Sequence, residues 1–322
     1  MSLPDWKSMM PDPNTPTRVA VLMGGPDPEH EVSLASGRQV AAALREDALF
    51  DVSEHEIDRP DENELTGFDA DVIFPVLHGP FGEGGPLQER LESSRIPFVG
   101  SDSKASAAGM DKCETKRRCL DSGIPTLEWS ELHPGAPNTL PFPLVLKPVD
   151  EGSSIGVRVC HDRSEFTQAR HTLEGTHRRL MAERLATGRE LTVGIISDEA
   201  LPLIEIVPKS GRYDYEAKYE RDDTAYVLDP ELPSGIAETC RSHALKLWRV
   251  IGARDVARVD FIFDGLECWV LEINTMPGFT EHSLVPKAAA HIGKNMTTLC
   301  GSLVRAALER HGRMDESTLA RS

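Results

Sequence analysis

Arg258, Asp260, Glu272 and Asn274 occupy the polar positions of two alternating runs, 257–263 and 267–274. Two carboxylates and an amide carbonyl are hard oxygen donors. Magnesium takes such ligands, binding protein through one or two carboxylates while substrate phosphates complete its shell. With an arginine beside them for anions, the set points to nucleotide-dependent chemistry. An ordinary solvated hairpin face would carry similar residues, so register decides. A plain two-residue turn at Asp264-Gly265 would pair Asp260 with Trp269 and send Glu272 to the opposite face. An odd-length loop or a bulge near Asp264 to Leu266 is therefore expected, with all four polar groups on one face.

Lys147 ends an apolar run, and Gly152-Ser153-Ser154-Ile155-Gly156 follows five residues later. Small residues let backbone N–H groups approach a phosphate while the lysine neutralises it. Alone such a loop is more often a hairpin connection. Neither a G-x-x-x-x-G-K-[ST] run nor a G-x-G-x-x-G run is present. A second lysine, Lys112, follows Met110-Asp111, and Glu183, Glu190 and Lys218-Tyr219 are spaced further along.

The elements that position these groups begin at Thr17, after a proline-bearing tail. Arg18 to Met23 reads as a buried strand running into Gly24-Gly25, and Glu31 to Leu44 as a helix. Asp71 to Leu77 is another buried strand, ending at His78-Gly79, with a helix from Pro86 and a short strand at Pro97 to Val99. That alternation predicts a parallel sheet covered by helices. Ser103 to Ser122 reads as one basic helical stretch. Strands follow at 143–148, 156–160, 179–185 and 190–196, a small α+β module, then further strands from about Ala200, a helix at 237–251, the hairpin, and a terminal helix at 296–311. The expected organisation is a tail (1–16), an N-terminal α/β substrate domain (17–102), a central module (103–188), a C-terminal domain with the metal site (189–312) and a frayed end (313–322).

The chain of 322 residues is 27% charged and 39% hydrophobic, with a formal net charge of −17. That charge disfavours nucleic acid and anionic membranes as partners, so an anionic ligand must meet locally placed cations and N–H groups. Six scattered cysteines lack metal-ligand spacing and are expected as free thiols. No run resembles a signal peptide or a membrane span, so a cytoplasmic protein is expected.

The ordered motifs resemble the D-alanine--D-alanine ligase family of ATP-grasp enzymes from Val19 to about Arg310. The matching segments are Gly24-Gly25 with Glu29-His30-Glu31-Val32-Ser33-Leu34, Leu77-His78-Gly79, Lys147-Pro148 with Glu151 to Val157, Tyr213-Asp214-Tyr215 with Lys218-Tyr219, and Glu272 to Gly278 followed by His282 to Pro286. The resemblance implies an α/β and α+β architecture, an ATP-grasp fold preceded by an N-terminal parallel-sheet domain. It implies a homodimer that uses ATP and two magnesium ions, or manganese, to join two D-alanines through a D-alanyl phosphate for peptidoglycan precursors. Lys112 and Lys147 would meet phosphates, Glu183 with Arg184 and Leu185 the adenine, and Glu190 the ribose, while Lys218 would bind ATP from a closing loop. Asp260, Glu272 and Asn274 would hold metal. Glu31 would take the first ammonium, Ser283 and Leu284 the second carboxylate, His78 would contact substrate, and Arg258 with Gly278 would steady the oxyanion. Glu31, Ser153 and Tyr219 would lock a loop around Tyr213 to Asp223 over the site. D-lactate or D-serine as second substrate, or nucleotide binding without ligation, are the alternatives; Tyr219 disfavours the depsipeptide, and the intact metal set disfavours mere binding. The family usually reads Gly-Glu-Asp-Gly where Gly82 to Gly85 stand, commonly has Gly at the place of Glu89, and often a basic residue at Asp150.

Overall fold

The structure, a computed structural model, describes residues 15–133, 135–209 and 223–319, with side chains through residue 312. Its first sheet is parallel, in the order β2-β1-β3, from β1 (Thr17–Gly24), β2 (Phe50–Ile57) and β3 (Val72–Pro75). The apolar run of β1 is buried on both faces, as a covered parallel strand must be. Helix α1 (His30–Arg45) returns the chain from β1 to β2, burying Leu34, Val40, Ala41 and Leu44 along one stripe. Three short helices follow: α2 (Glu62–Thr66), α3 (Gly79–Gly82) and α4 (Pro86–Ser94). Strand β2 was not foreseen. Its sequence, Phe-Asp-Val-Ser-Glu-His-Glu-Ile, is mostly polar because it forms an edge with only its ends fully buried.

The stretch 103–122 divides into α5 (Ser103–Met110) and α6 (Lys112–Asp121). Asp111 leaves the helical region at φ −74°, ψ 100°, and its carboxylate accepts the Glu114 N–H at 2.8 Å, a cap that starts α6 afresh. The second sheet is antiparallel, ordered β4-β7-β5-β6: β4 (Trp129–Leu132), β5 (Leu144–Pro148), β6 (Arg158–Cys160) and β7 (Leu180–Arg184). Helix α7 (Arg163–Glu174) covers the Leu144, Leu146 and Ala182 face. The opposite face carries Val145, Lys147, Met181 and Glu183 by register.

The third sheet, also antiparallel, runs β10-β9-β8-β11-β12: β8 (Arg189–Ile196), β9 (Glu199–Pro208), β10 (Thr224–Leu228), β11 (Val256–Phe263) and β12 (Cys268–Asn274). Helix α8 (Ile236–Ile251) lays Cys240, Ala244, Leu247 and Trp248 over Val259, Phe261 and Val193. That burial leaves the Arg258 and Asp260 side of the sheet for chemistry. Helices α9 (Leu284–His291) and α10 (Met296–Leu319) return to the first sheet, and one core runs from Val19 and Val21 through Val285 to Leu303 and Val304. All six cysteines are free and buried. Among the described residues no helix is long and apolar enough to cross a membrane.

Candidate active site

Across β11 and β12, Arg258 pairs with Asn274 and Asp260 with Glu272, so the four polar groups share one face. The register shift that permits this lies between Asp260 and Phe261, where Phe261 pairs with Val270 and Leu271 is the extra residue. It does not lie near Asp264 to Leu266 as expected. The loop there has four residues, an even number, folded by Asp264, whose Oδ1 accepts the Leu266 and Glu267 N–H groups and whose Oδ2 accepts the Trp269 indole N–H. The slip moves to Leu271 because its neighbour Val270 is held from outside the hairpin. The Val270 N–H donates to the Pro125 carbonyl at 2.9 Å, and the Val270 carbonyl accepts Thr126 Oγ1 at 2.8 Å.

The face opens into a cleft that is open to solvent. Its walls bring together His78, Lys112, Ser153, Arg258, Glu272 and Asn274, with Gly278, His282, Ser283 and Leu284 beyond. The break before α6 sets Lys112 on the rim, where its ammonium stands 3.3 Å from Glu272 Oε2 and donates to the Glu151 carbonyl. Arg258 forks onto Asp260 with bonds of 2.9 and 2.8 Å, and Thr192 Oγ1 donates to the same carboxylate at 2.6 Å. The carboxylates are thus charge-balanced before any ligand arrives.

Glu31 is not at the cleft. Helix α1 begins at His30, Glu31 falls on its exposed side, and the buried carboxylate is Glu29, the residue just before the helix. Two residues along a helix turn the side chain by roughly 200°, so only one of these glutamates can face inward. Glu29 reaches the serine loop: a Cβ on Gly152 would stand 3.0 Å from Glu29 Oε1. Glu83, also unassigned from the sequence, lines the cleft. Burial and then the charge of Glu29 push its carboxyl up to about 8, against the opposing pull of the Gly79 N–H and Arg258. His78 is pulled down to about 4 by burial, with Arg258 adding to it. Its Nδ1 meets the Met276 carbonyl at 3.2 Å, so the neutral ring donates there and keeps Nε2 as an acceptor.

A second group sits deeper, on the inner face of the second sheet. Glu183 is buried, with Oε2 accepting Lys147 Nζ at 2.7 Å and Oε1 paired with Lys116. Arg184 donates its N–H to the Glu128 carbonyl and stacks its guanidinium 5.0 Å from the Trp269 ring centre; Leu185 follows immediately. Glu190 pairs with Ile262 and so shares the Asp260 face. Lys218, Tyr219 and the closing segment from Tyr213 lie outside the described residues, apart from its last residue, Asp223.

Known proteins match this arrangement along nearly the whole chain. Residues 51–101 match the family model described as D-ala D-ala ligase N-terminus, and residues 123–305 that described as D-ala D-ala ligase C-terminus. The D-alanine--D-alanine ligase of Bordetella avium is 40% identical over 89% of this chain and 93% of its own. That of Dechloromonas aromatica is 41% identical over 91% and 97%. The chain belongs to the D-alanine--D-alanine ligase family. The crystal structure of the Bacillus anthracis ligase complexed with ATP superposes with a TM-score of 0.82 at 30% identity, covering 94% of this chain and 100% of that one. The Coxiella burnetii ligase gives 0.83 at 26%, covering 95% and 99%. The ATP-grasp architecture expected from the sequence is therefore the one present.

Within this ligase family, Gly84 stands where a side chain is usual, and the fold accounts for it: a Cβ there would collide with the Pro80 carbonyl. Nothing in the structure explains Glu89 or Asp150. Magnesium fits the donors of the ligase hairpin, since Asp260, Glu272 and Asn274 offer hard oxygens on paired strands. Among the described residues no three His, Cys, Asp or Glu side chains gather as a metal site. Phosphate and water oxygens would have to complete the shell, which ties metal to nucleotide. Glu29 and Glu83 had only a faint sequence signal, the acidic residues beside Gly24-Gly25 and after His78-Gly79.

Proposed function

We propose that this chain joins two D-alanine molecules into D-alanyl-D-alanine for peptidoglycan precursors, converting ATP to ADP and phosphate. The observation that carries the reading is the single polar face of β11 and β12, set against Lys112 and the serine loop across one cleft, with Glu29 behind Gly152 of that loop. Glu29, in the place first given to Glu31, accepts the ammonium of the first D-alanine. That substrate's carboxylate then attacks the γ-phosphate to give an acyl phosphate. Lys112 and Lys147 neutralise the phosphates. Asp260, Glu272 and Asn274 would hold two magnesium ions, which offset charge on the transferred group.

The amine of the second D-alanine attacks next, with its carboxylate at Ser283 and Leu284. Arg258 and the Gly278 N–H meet the oxyanion, each such donor contributing about 3 kcal/mol in comparable sites. Neutral His78 offers Nε2 to an N–H of the substrate. Glu183, Arg184 and Leu185 receive the adenine and Glu190 the ribose. Ser153 turns left-handed at φ 50°, which aims the serine-loop backbone into the cleft and against Glu29. The enzyme works as a cytoplasmic homodimer; sedimentation tests the dimer.

Incubation with ATP, magnesium and D-alanine, with L-alanine and D-lactate as controls, should release one phosphate per D-alanyl-D-alanine. Phosphate without dipeptide would sink the assignment.

A further inference from the structure

A lysine that neither cleft nor solvent reaches lies behind the deep end of the site. Lys116, on the buried side of α6, is 0% exposed. Its ammonium pairs with Glu183 Oε1 and donates to Thr126 Oγ1 at 2.7 Å, and Thr126 in turn donates to the Val270 carbonyl beside the Leu271 bulge. Burying an ammonium costs several kcal/mol even when it is paired. A residue serving packing alone would do better as methionine.

Two lysines thus flank one carboxylate, and they are not equivalent. Lys147 is the penultimate residue of β5, five residues before Gly152 of the serine loop, and under the proposed function it turns toward a phosphate. When it does, Glu183 loses half its counter-charge. Lys116 stays, because it is fully buried and held from two sides, by Glu183 and by Thr126 Oγ1, whereas the Lys147 ammonium donates to Glu183. Burial pushes the Glu183 carboxyl up, yet Lys116 and Lys147 outweigh it and hold the group below the usual carboxylate range. An ionised carboxylate only accepts hydrogen bonds. It therefore suits the six-amino group of adenine and opposes the six-oxo group of inosine or guanine, whereas a protonated carboxyl could donate to that oxygen.

We infer that Lys116 is a positioning residue that keeps Glu183 an acceptor-only carboxylate and so makes the site select adenine over six-oxo purines. The inference rests on the reading of Glu183 as the base-contacting group. Inosine triphosphate, which differs from ATP at the six position, is the probe. In the parent enzyme kcat/KM should favour ATP over inosine triphosphate by about 100-fold or more; a ratio near one overturns the proposal.

Lys116→Met should raise the KM for ATP by about 10-fold or more, that being the scale of a charged hydrogen bond. It should leave kcat at saturating ATP and the KM for D-alanine within about 2-fold and lower the ATP-to-inosine preference by about 10-fold. Loss of packing alone would weaken both nucleotides equally, and an unchanged ratio overturns the role. Glu183→Gln, which can both donate and accept, separates the two layers. If it keeps the parental preference, Glu183 does not read the base and the inference falls with that reading. If it abolishes the preference while Lys116→Met retains it, Glu183 reads the base and Lys116 plays no part. Should Lys116→Met not fold, Lys116→Gln keeps a donor toward Thr126 without the charge and carries the same test with the same outcomes.

Discussion

The hairpin wall of the cleft and the wall facing it solve the problem of gathered charge differently. On β11 and β12 every acidic group has a cation at hand: Arg258 forks onto Asp260, and Lys112 stands beside Glu272. Across the cleft, burial instead suppresses charge, with Glu83 pushed up to about 8 and His78 pulled down to about 4. The first wall is built to exchange partners, because a metal or a phosphate can replace an ion-pair partner at little net cost. The second presents a neutral donor and a neutral acceptor, which under the proposed function would meet the amino acid.

The largest effect that would break this contrast is at the hairpin. Glu272→Gln keeps the shape but removes the charge, and turnover should fall about 1,000-fold with little change in melting temperature; near-normal turnover would refute its metal role. The opposite wall is sharpened by a pair of variants. Glu29→Gln should lower kcat/KM for D-alanine by about 100-fold, the penalty of losing a buried charged contact. Glu31→Gln should stay within about 2-fold, as an exposed helix position does. The reverse ranking would return Glu31 to the site.

A smaller effect tests charge suppression itself. The Glu83 carboxyl lies near 8 in the folded protein against 4.5 for the ordinary group. Between those values the unfolded chain has released the proton and the native protein has kept it. Stability therefore falls as pH rises from about 4.5 to about 8, then levels off. Glu83→Gln removes this loss, so in nucleotide-free protein its melting temperature should gain on the parent progressively across that window. A difference that stays constant with pH would show that Glu83 ionises normally. Smallest should be Thr192→Val, which deprives Asp260 of one bond of 2.6 Å and should reduce turnover about 10-fold or less.

Much of the hairpin was legible because a strand has a period of two. Once Arg258, Asp260, Glu272 and Asn274 are seen at polar positions of alternating runs, a shared face requires some slip in register. Glu29 and Glu31 offered no such handle. Both fall in Glu29-His30-Glu31, and the choice between them depends on where α1 starts, which no cap side chain marks. Lys116 was hidden for another reason: within a run holding Lys112, Lys116, Arg117 and Arg118, nothing local says which cation is buried.

By itself the sequence determined the order of the sheets, the family, and the residue types gathered on the polar face of β11 and β12, because these follow from hydrophobic periodicity and from motifs whose members are adjacent. Only the tertiary structure decided where the slip in β12 falls, since the 125–126 segment crossing Val270 comes from another part of the chain. It also decided which of Glu29 and Glu31 is buried, and that Lys116 joins Lys147 at Glu183. Those choices are made by burial, a property of the packed molecule and not of any single segment.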